Sequence, residues 1–138
     1  MNYKDVIKEL NELDESQELH EMARVCFLPP SSVKGVEVYV NTDDAGNVPH
    51  FHIRKRSGEN KYEWESCVMY TEPSYFNHEK HHVKLPGDYP RILNKVLKQK
   101  NKKIPTETYW QTAINMWNIN NSSMDLPFDL KQPDYSRL

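Results

Sequence analysis

Two histidines flank Phe51 in the run Pro49-His50-Phe51-His52. In an extended strand, residues i and i+2 point to the same face and lie about 7 Å apart at Cα. Two imidazoles so placed can bind one metal ion if other side chains complete its coordination. A site that keeps one position open for water could be catalytic. The candidate metal ligands are His50, His52, Asp44 and His82, with Asp43, His78 and His81 as further donors. The alternative is that both strand histidines are polar residues facing solvent.

Basic residues form a second candidate site directly after the histidines. Arg54, Lys55 and Arg56 follow on the same predicted strand, and aromatic residues nearby could add stacking to their charge. Single-stranded nucleic acid is bound by this combination. The net charge of -2 and pI near 6.3 provide no overall field to attract a polyanion, so we favour a protein partner over nucleic acid. Lysines also cluster at the end of the predicted third helix, where the helix dipole alone favours them: Lys95, Lys98, Lys100, Lys102 and Lys103.

Aromatic residues form a third candidate site, for protein binding. The chain has 8 Tyr, 4 Phe and 3 Trp, more than a small core is expected to bury fully. The candidate contact residues are Tyr70, Tyr75, Phe76 and Tyr135.

Other signs of catalysis are absent from the sequence. No Ser, Cys or Lys stands in a known nucleophile motif, and the 4 glycines are scattered, so no phosphate-binding loop is predicted. Glu63 and Glu65 could form an acid/base pair, but a solvated strand edge is the commoner reason for such a pair. Cys26 and Cys67 are expected to be free thiols, with Cys67 in or near the core. No cofactor is expected other than a divalent metal ion at the histidines, and an enzyme is not the favoured interpretation.

The elements that position these residues follow from the hydrophobic pattern. A helical stripe predicts an N-terminal helical region over 1–28, in which Cys26 ends the second stripe. Period-2 alternation predicts a β-meander of three strands over 34–70, with a turn at 42–47, or of four strands if a short one forms near 82–85 in the long loop that follows. Two helices are predicted over 88–121, one capped by Asp88 and the other starting near Pro105. An extended tail over 122–138 should pack back on the domain. The expected fold is a single α+β domain.

The strand containing Val38, the Asp43-Asp44 turn and the Pro-His-Phe-His run resemble a widespread bacterial family of unknown function. Its members have a strand, an Asn/Asp turn, a Pro-His-x-His return strand and a C-terminal helix containing Trp, for which the helix with Trp110 would be the counterpart. The resemblance covers about a third of the chain. The chain departs from the family in its N-terminal helical region, its long turn and its extended tail. The resemblance implies a small α+β fold and a genomic setting among mobile elements and toxin–antitoxin-like gene pairs, and it supplies no catalytic residue.

Three functions remain as hypotheses. The first is a protein-interaction module of bacterial, phage or mobile-element origin that modulates a host or defence-system protein. The second is a small metal-dependent hydrolase or nuclease with a His-x-His site, and the third is a nucleic-acid-binding protein. No apolar run approaches the ~20 residues needed to span a bilayer, so the expected location is the cytoplasm, without a membrane partner.

Overall fold

The computed structural model describes residues 24–27, 35–40, 48–59, 61–121 and 125–138. The described residues have an α+β fold, as the sequence predicts, in which an antiparallel sheet packs against two helices. The sheet has four strands in sequential order: β1 (Arg24–Phe27), β2 (Val36–Tyr39), β3 (His50–Gly58) and β4 (Lys61–Met69). The helices are α1 (Tyr89–Leu97) and α2 (Tyr109–Asn120), followed by a 3-10 helix, Tyr135–Arg137.

The strand register separates an apolar face of the sheet from a polar one. Val38 pairs with Ile53, and Phe51 pairs with Val68. Directly paired residues in an antiparallel sheet lie on the same face, so these four form one apolar surface. The two helices cover it with buried side chains, chiefly Leu93, Val96, Leu97, Trp110, Ile114 and Trp117. The alternate positions, which carry the histidines, therefore form the opposite face.

The second helix starts later than the sequence predicts. Its N-cap is Thr108, whose side chain accepts a hydrogen bond from the Gln111 backbone N–H, while the Gln111 side chain accepts one from the Thr108 backbone N–H. This capping box moves the start from the region of Pro105 to Tyr109. Asp88 does hold the N-cap position of α1, but its carboxylate makes no capping bond.

Residues 24–27 form a strand, where the sequence predicts the end of a helix. The predicted stripe of Leu19, Met22, Ala23 and Cys26 extended into this segment, but its backbone pairs with β2 instead. Pairing with a neighbouring strand outweighs a weak local helical period. The other residues of the predicted N-terminal helical region, and the predicted turn at 42–47, lie outside the described residues.

The loop 70–88 follows the free edge of β4. Single bridges join Val68 to Tyr75 and Glu65 to His82, so the predicted strand at 82–85 is reduced to one bridge. The tail packs back on the sheet, as expected, although its end forms the 3-10 helix. Tyr135 is fully buried, and its hydroxyl donates a hydrogen bond to the Met69 carbonyl at 2.5 Å.

No helix among the described residues is long and apolar enough to cross a membrane.

Candidate metal centre

His50 and His52 lie on the polar face of β3, and both are buried. Their exposed fractions are 0% and 2%. The interpretation that they are solvent-facing strand residues is therefore wrong. Their rings lie 5.2 Å apart between centroids, as the i, i+2 spacing on one strand predicts.

The loop after β4 brings more histidines to the same face. The backbone N–H of Phe76 donates to the Cys67 carbonyl at 2.8 Å, and the Asn77 side chain accepts from the Cys67 N–H at 2.9 Å. These two bonds fix the chain immediately before His78. Further on, the Val83 N–H donates to the Glu65 carbonyl at 2.9 Å and fixes the chain immediately after His82.

Two groups of potential metal ligands result, and they share His52. One ring nitrogen each from His50, His52 and His78 lie within 4.8 Å of one another. Atoms of His52, Glu65 and His82 meet the same limit. Among the described residues these are the two groups of three or more His, Cys, Asp or Glu side chains that could hold an ion. Of the predicted ligands, His50 and His52 share the first group, whereas His82 belongs to the second group with His52. Asp44 lies outside the described residues.

Hydrogen bonds assign the ring protons of the first group. Nδ1 of His50 lies 2.7 Å from the Val48 carbonyl oxygen, and Nδ1 of His78 lies 3.0 Å from that of Phe76. A carbonyl oxygen only accepts, so Nδ1–H donates in both rings. Nδ1 of His52 likewise donates to Glu65 Oε2 at 3.1 Å. In the neutral form of all three rings, the lone pair is therefore on Nε2.

His82 has the opposite arrangement. Its Nδ1 accepts a hydrogen bond from the Glu79 backbone N–H at 3.3 Å, so the proton of the neutral ring is on Nε2. That Nε2–H donates to Glu65 Oε2 at 2.9 Å. Burial lowers the pKa of His82, and its neighbours His52 and His81 add to this effect, whereas Glu65 opposes it. Metal binding at Nε2 would require moving the proton to Nδ1, where it would face another N–H.

Glu65 is an ionised carboxylate at the centre of these contacts. Burial by itself raises the pKa of its carboxyl group. Hydrogen bonding and electrostatic attraction from His52, with further hydrogen bonds from Tyr39 and His82, outweigh burial and lower the pKa from 4.5 to about 2. Nε2 of the exposed His81 lies 3.5 Å from the same carboxylate oxygen.

Aromatic side chains surround the two strand histidines. Tyr39 stacks on His52 with the ring centroids 4.7 Å apart and the planes at 22°. Phe76 and Trp117 lie 4.8 Å and 5.7 Å from the His50 ring. His78 is the exposed member of the first group, so it forms the solvent side of the cluster.

The residues predicted to bind nucleic acid form ion pairs and cation–π contacts with neighbouring acidic and aromatic side chains. Arg54 is 4% exposed, is paired with the buried Glu37, and lies between the rings of Tyr39 and Tyr62 at 4.2 and 4.1 Å. Arg56 Nη2 lies 3.5 Å from the same Glu37 carboxylate, and Lys55 pairs with Glu63 at 3.4 Å. Arg54 is therefore a buried ion-pair residue, not an exposed contact for nucleic acid.

The predicted protein-binding residues belong mainly to the interior. Tyr70 and Tyr135 are fully buried, which corrects the expectation that they lie on a contact surface. The Tyr70 hydroxyl donates to the Ala113 carbonyl at 2.6 Å. Tyr75 and Phe76 are half-buried, and the Tyr75 hydroxyl accepts a hydrogen bond from the Leu85 N–H. Tyr and Trp with a satisfied polar group are well suited to a core, and aromatic content alone did not reveal this.

Sequence reasoning did not include Glu65 among the candidate metal ligands. Its spacing from Glu63 indicated a solvated edge, yet Glu63 is exposed and Glu65 is buried. The register supplies the missing signal, because Glu65 pairs with Arg54 and so falls on the histidine face. Cys67 pairs with His52 on that face as a buried free thiol, but it belongs to neither ligand group.

Comparisons of the chain with protein-family models, with curated proteins and with solved structures found no match, so its function is argued from the chemistry of these side chains.

Proposed function

We propose that this chain binds one transition-metal ion, with Zn²⁺ the best fit, through His50, His52 and His78, and that it is a small metal-dependent hydrolase. The observation that supports this most is that the three rings use the same nitrogen, Nδ1, as a hydrogen-bond donor. Each donates Nδ1–H to an acceptor, and one nitrogen from each lies within 4.8 Å of the other two. Metal-binding histidines usually have this kind of hydrogen bond on the nitrogen that does not bind.

The ligand type and number favour zinc and a catalytic role over a structural one. Imidazole nitrogens suit Zn²⁺, at distances of about 2.0–2.1 Å, and structural zinc sites normally have four protein ligands. Three histidines leave one coordination position for water. Zinc binding would draw the nitrogens together toward the ~3.3 Å edge of a tetrahedron with such bonds.

The chemistry of such a centre is hydrolysis. Zinc lowers the pKa of bound water to about 7, so that it supplies a nucleophile near neutral pH, and it polarises a carbonyl or phosphoryl oxygen. The chain's own residues would hold the ion and limit access. Phe76 and Trp117 pack beside His50, so a substrate would approach from the side of the exposed His78.

His52, Glu65 and His82 are the rival ligand group, and its protonation counts against it. The neutral His82 ring has its proton on Nε2, where it donates to Glu65. In the first group, by contrast, each neutral ring has its proton on Nδ1 and leaves Nε2 unprotonated for a metal ion.

The test is titration of metal-free protein with Co²⁺, a spectroscopic substitute for Zn²⁺. We expect one equivalent to bind and to give the intense visible absorption of a tetrahedral site. Azide should then change that spectrum by occupying the open position. A His50→Gln variant should lose the tetrahedral absorption. Failure of the folded wild-type protein to bind Co²⁺ or Zn²⁺ would refute the proposal.

Hydrolytic activity is tested on the same preparations. The zinc-loaded protein should cleave an activated ester, 4-nitrophenyl acetate, or an activated phosphodiester, bis(4-nitrophenyl) phosphate, faster than both the metal-free protein and the His50→Gln variant do. If the protein binds metal but accelerates neither reaction, the metal site is supported and the proposed hydrolase activity is refuted.

A further inference from the structure

We propose that Glu65 is the positioning residue of this metal centre, and that His82 and Tyr39 hold its carboxylate in place rather than acting on the metal. This inference rests on the metal site proposed above. It assigns Glu65 and His82, the members of the second group other than His52, a role that is distinct from metal binding.

The carboxylate is placed to orient His52 and no other ligand of the first group. Glu65 Oε2 lies 3.1 Å from His52 Nδ1. The equivalent nitrogens of His50 and His78 are bound to backbone carbonyls, whose positions are set by the chain. His52 alone depends on a side chain that could rotate, so the rigidity of Glu65 decides the orientation of that ring.

Two side-chain contacts limit the rotation of Glu65. The Nε2–H of His82 donates to Oε2 at 2.9 Å, and Tyr39 also hydrogen-bonds to the carboxylate. The chain on the C-terminal side of Glu65 is fixed as well. The Glu65 carbonyl accepts from the Val83 N–H at 2.9 Å, and the next residue, Ser66, donates its hydroxyl to the Val83 carbonyl.

The same contacts explain why His82 serves better as a support than as a ligand. Its Nδ1 accepts from the Glu79 N–H, so its Nε2–H is committed to donation. Tyr39 contributes twice, because its ring also stacks on His52 at 4.7 Å between centroids. A negative charge on Glu65 should also raise the basicity of the His52 ring and strengthen its bond to a cation.

The test compares Glu65→Gln with Glu63→Gln, since the two glutamates are on the same strand and Glu63 is exposed. Glutamine keeps the shape of the side chain and one acceptor oxygen for His52 and His82, but it removes the negative charge, and its NH₂ group cannot accept a hydrogen bond. Zinc affinity, measured by competition with a chromophoric chelator, should fall about 10- to 100-fold in Glu65→Gln. In Glu63→Gln it should stay within about twofold of wild type.

A spectroscopic measurement separates positioning from general stability. In the zinc-bound protein, the NMR resonance of the His52 Nδ1 proton should shift in Glu65→Gln and not in Glu63→Gln. The Co²⁺ absorption should remain tetrahedral in both, because no ligand has been removed. Equal zinc affinity in Glu65→Gln and wild type would overturn the inference. If the wild-type protein itself does not bind zinc, the proposed function is overturned instead.

His82→Phe distinguishes a support from a ligand. It should weaken zinc binding several-fold and leave the Co²⁺ spectrum unchanged. Collapse of the tetrahedral absorption in His82→Phe would instead make His82 a ligand and refute this assignment. Should Glu65→Gln fail to fold, Tyr39→Phe removes a single hydroxyl, and it should reduce zinc affinity with the tetrahedral spectrum retained. Unchanged zinc affinity in Tyr39→Phe would then count against the inference.

Discussion

At the scale of single residues, the polar face of the sheet is organised by which nitrogen of each histidine donates. His50, His52 and His78 donate from Nδ1, whereas His82 donates from Nε2. This difference divides four neighbouring rings into candidate ligands and a support. Because tautomers depend on hydrogen-bond partners distant in sequence, the spacing of the histidines alone could not assign these roles.

The exposed ligand offers the cleanest substitution. His78→Ala removes a solvent-exposed ring, so the fold should tolerate it. Structural zinc sites with four ligands gain about 10–16 kcal/mol of binding free energy in all, or roughly 3 kcal/mol per ligand. Loss of one ligand should therefore lower zinc affinity roughly a hundredfold. Isothermal titration calorimetry with Zn²⁺ would measure the change.

His81→Ala is the matched control for that substitution. His81 is 63% exposed at the side chain and belongs to neither ligand group. Its zinc affinity should therefore stay close to that of wild type. Equal losses in His78→Ala and His81→Ala would point to loose binding by surface histidines.

At the scale of elements, the alternating strands were the most predictable part of the fold. β2, β3 and β4 follow period-2 patterns and appear close to their predicted limits. Residues 24–27 were predicted wrongly, because a run of four can satisfy a helical stripe and a strand equally well, and pairing with β2 decides between them. The late start of α2 depended on the Thr108 and Gln111 capping box, whose signal competed with Pro105.

The turn before α2 contains a buried acid that should make stability depend on pH. Glu107 is 5% exposed, and burial raises the pKa of its carboxyl group above 4.5, although hydrogen bonds from Asn115 and Thr112 oppose the shift. The folded state therefore binds this proton more tightly than the unfolded state does. The resulting stability is full below the unfolded pKa and is lost as the pH rises through the folded pKa.

Glu107→Gln should reduce this pH dependence, because glutamine is neutral throughout. Between about pH 4 and about pH 8, measured by urea unfolding, the free energy of unfolding should change less favourably for wild type than for the variant, because only wild type loses the Glu107 contribution. The exposed Glu72→Gln serves as the control and should behave like wild type. A change of the same size in Glu107→Gln would mean that other groups cause the dependence.

At the scale of the whole molecule, both faces of the sheet are largely buried near its centre. One face carries Phe51 and Ile53 under the helices, and the other carries His50, His52 and Arg54. A period-2 pattern with polar residues on one side normally indicates a solvated face. The sequence therefore predicted the strands and their alternation correctly, but the burial of the polar face depends on segments distant in sequence, such as the loop that carries His78.

Tyr135 ties the tail to the sheet and should make a measurable contribution to global stability. Its hydroxyl supplies a donor for the Met69 carbonyl, 66 residues away in sequence. Tyr135→Phe should lower the free energy of unfolding by about 1–2 kcal/mol, because the Met69 carbonyl, in a partly buried position, loses that partner. Chemical denaturation would measure it, with the exposed Ser136→Ala as the control. If Tyr135→Phe lowers the free energy of unfolding by less than Ser136→Ala does, the hydrogen bond from Tyr135 to Met69 makes no net contribution to stability.

The burial of Tyr135 also has a consequence for how the chain is made. The ring fills the centre of a core whose strands are translated far earlier, and it contacts Phe51 and Trp110 at centroid distances of 5.9 and 6.1 Å. A ribosome will have synthesised the sheet and both helices before this ring can enter. Until residue 135 leaves the exit tunnel, the core of the nascent domain lacks this ring, and incomplete cores of this kind expose apolar surface that favours aggregation.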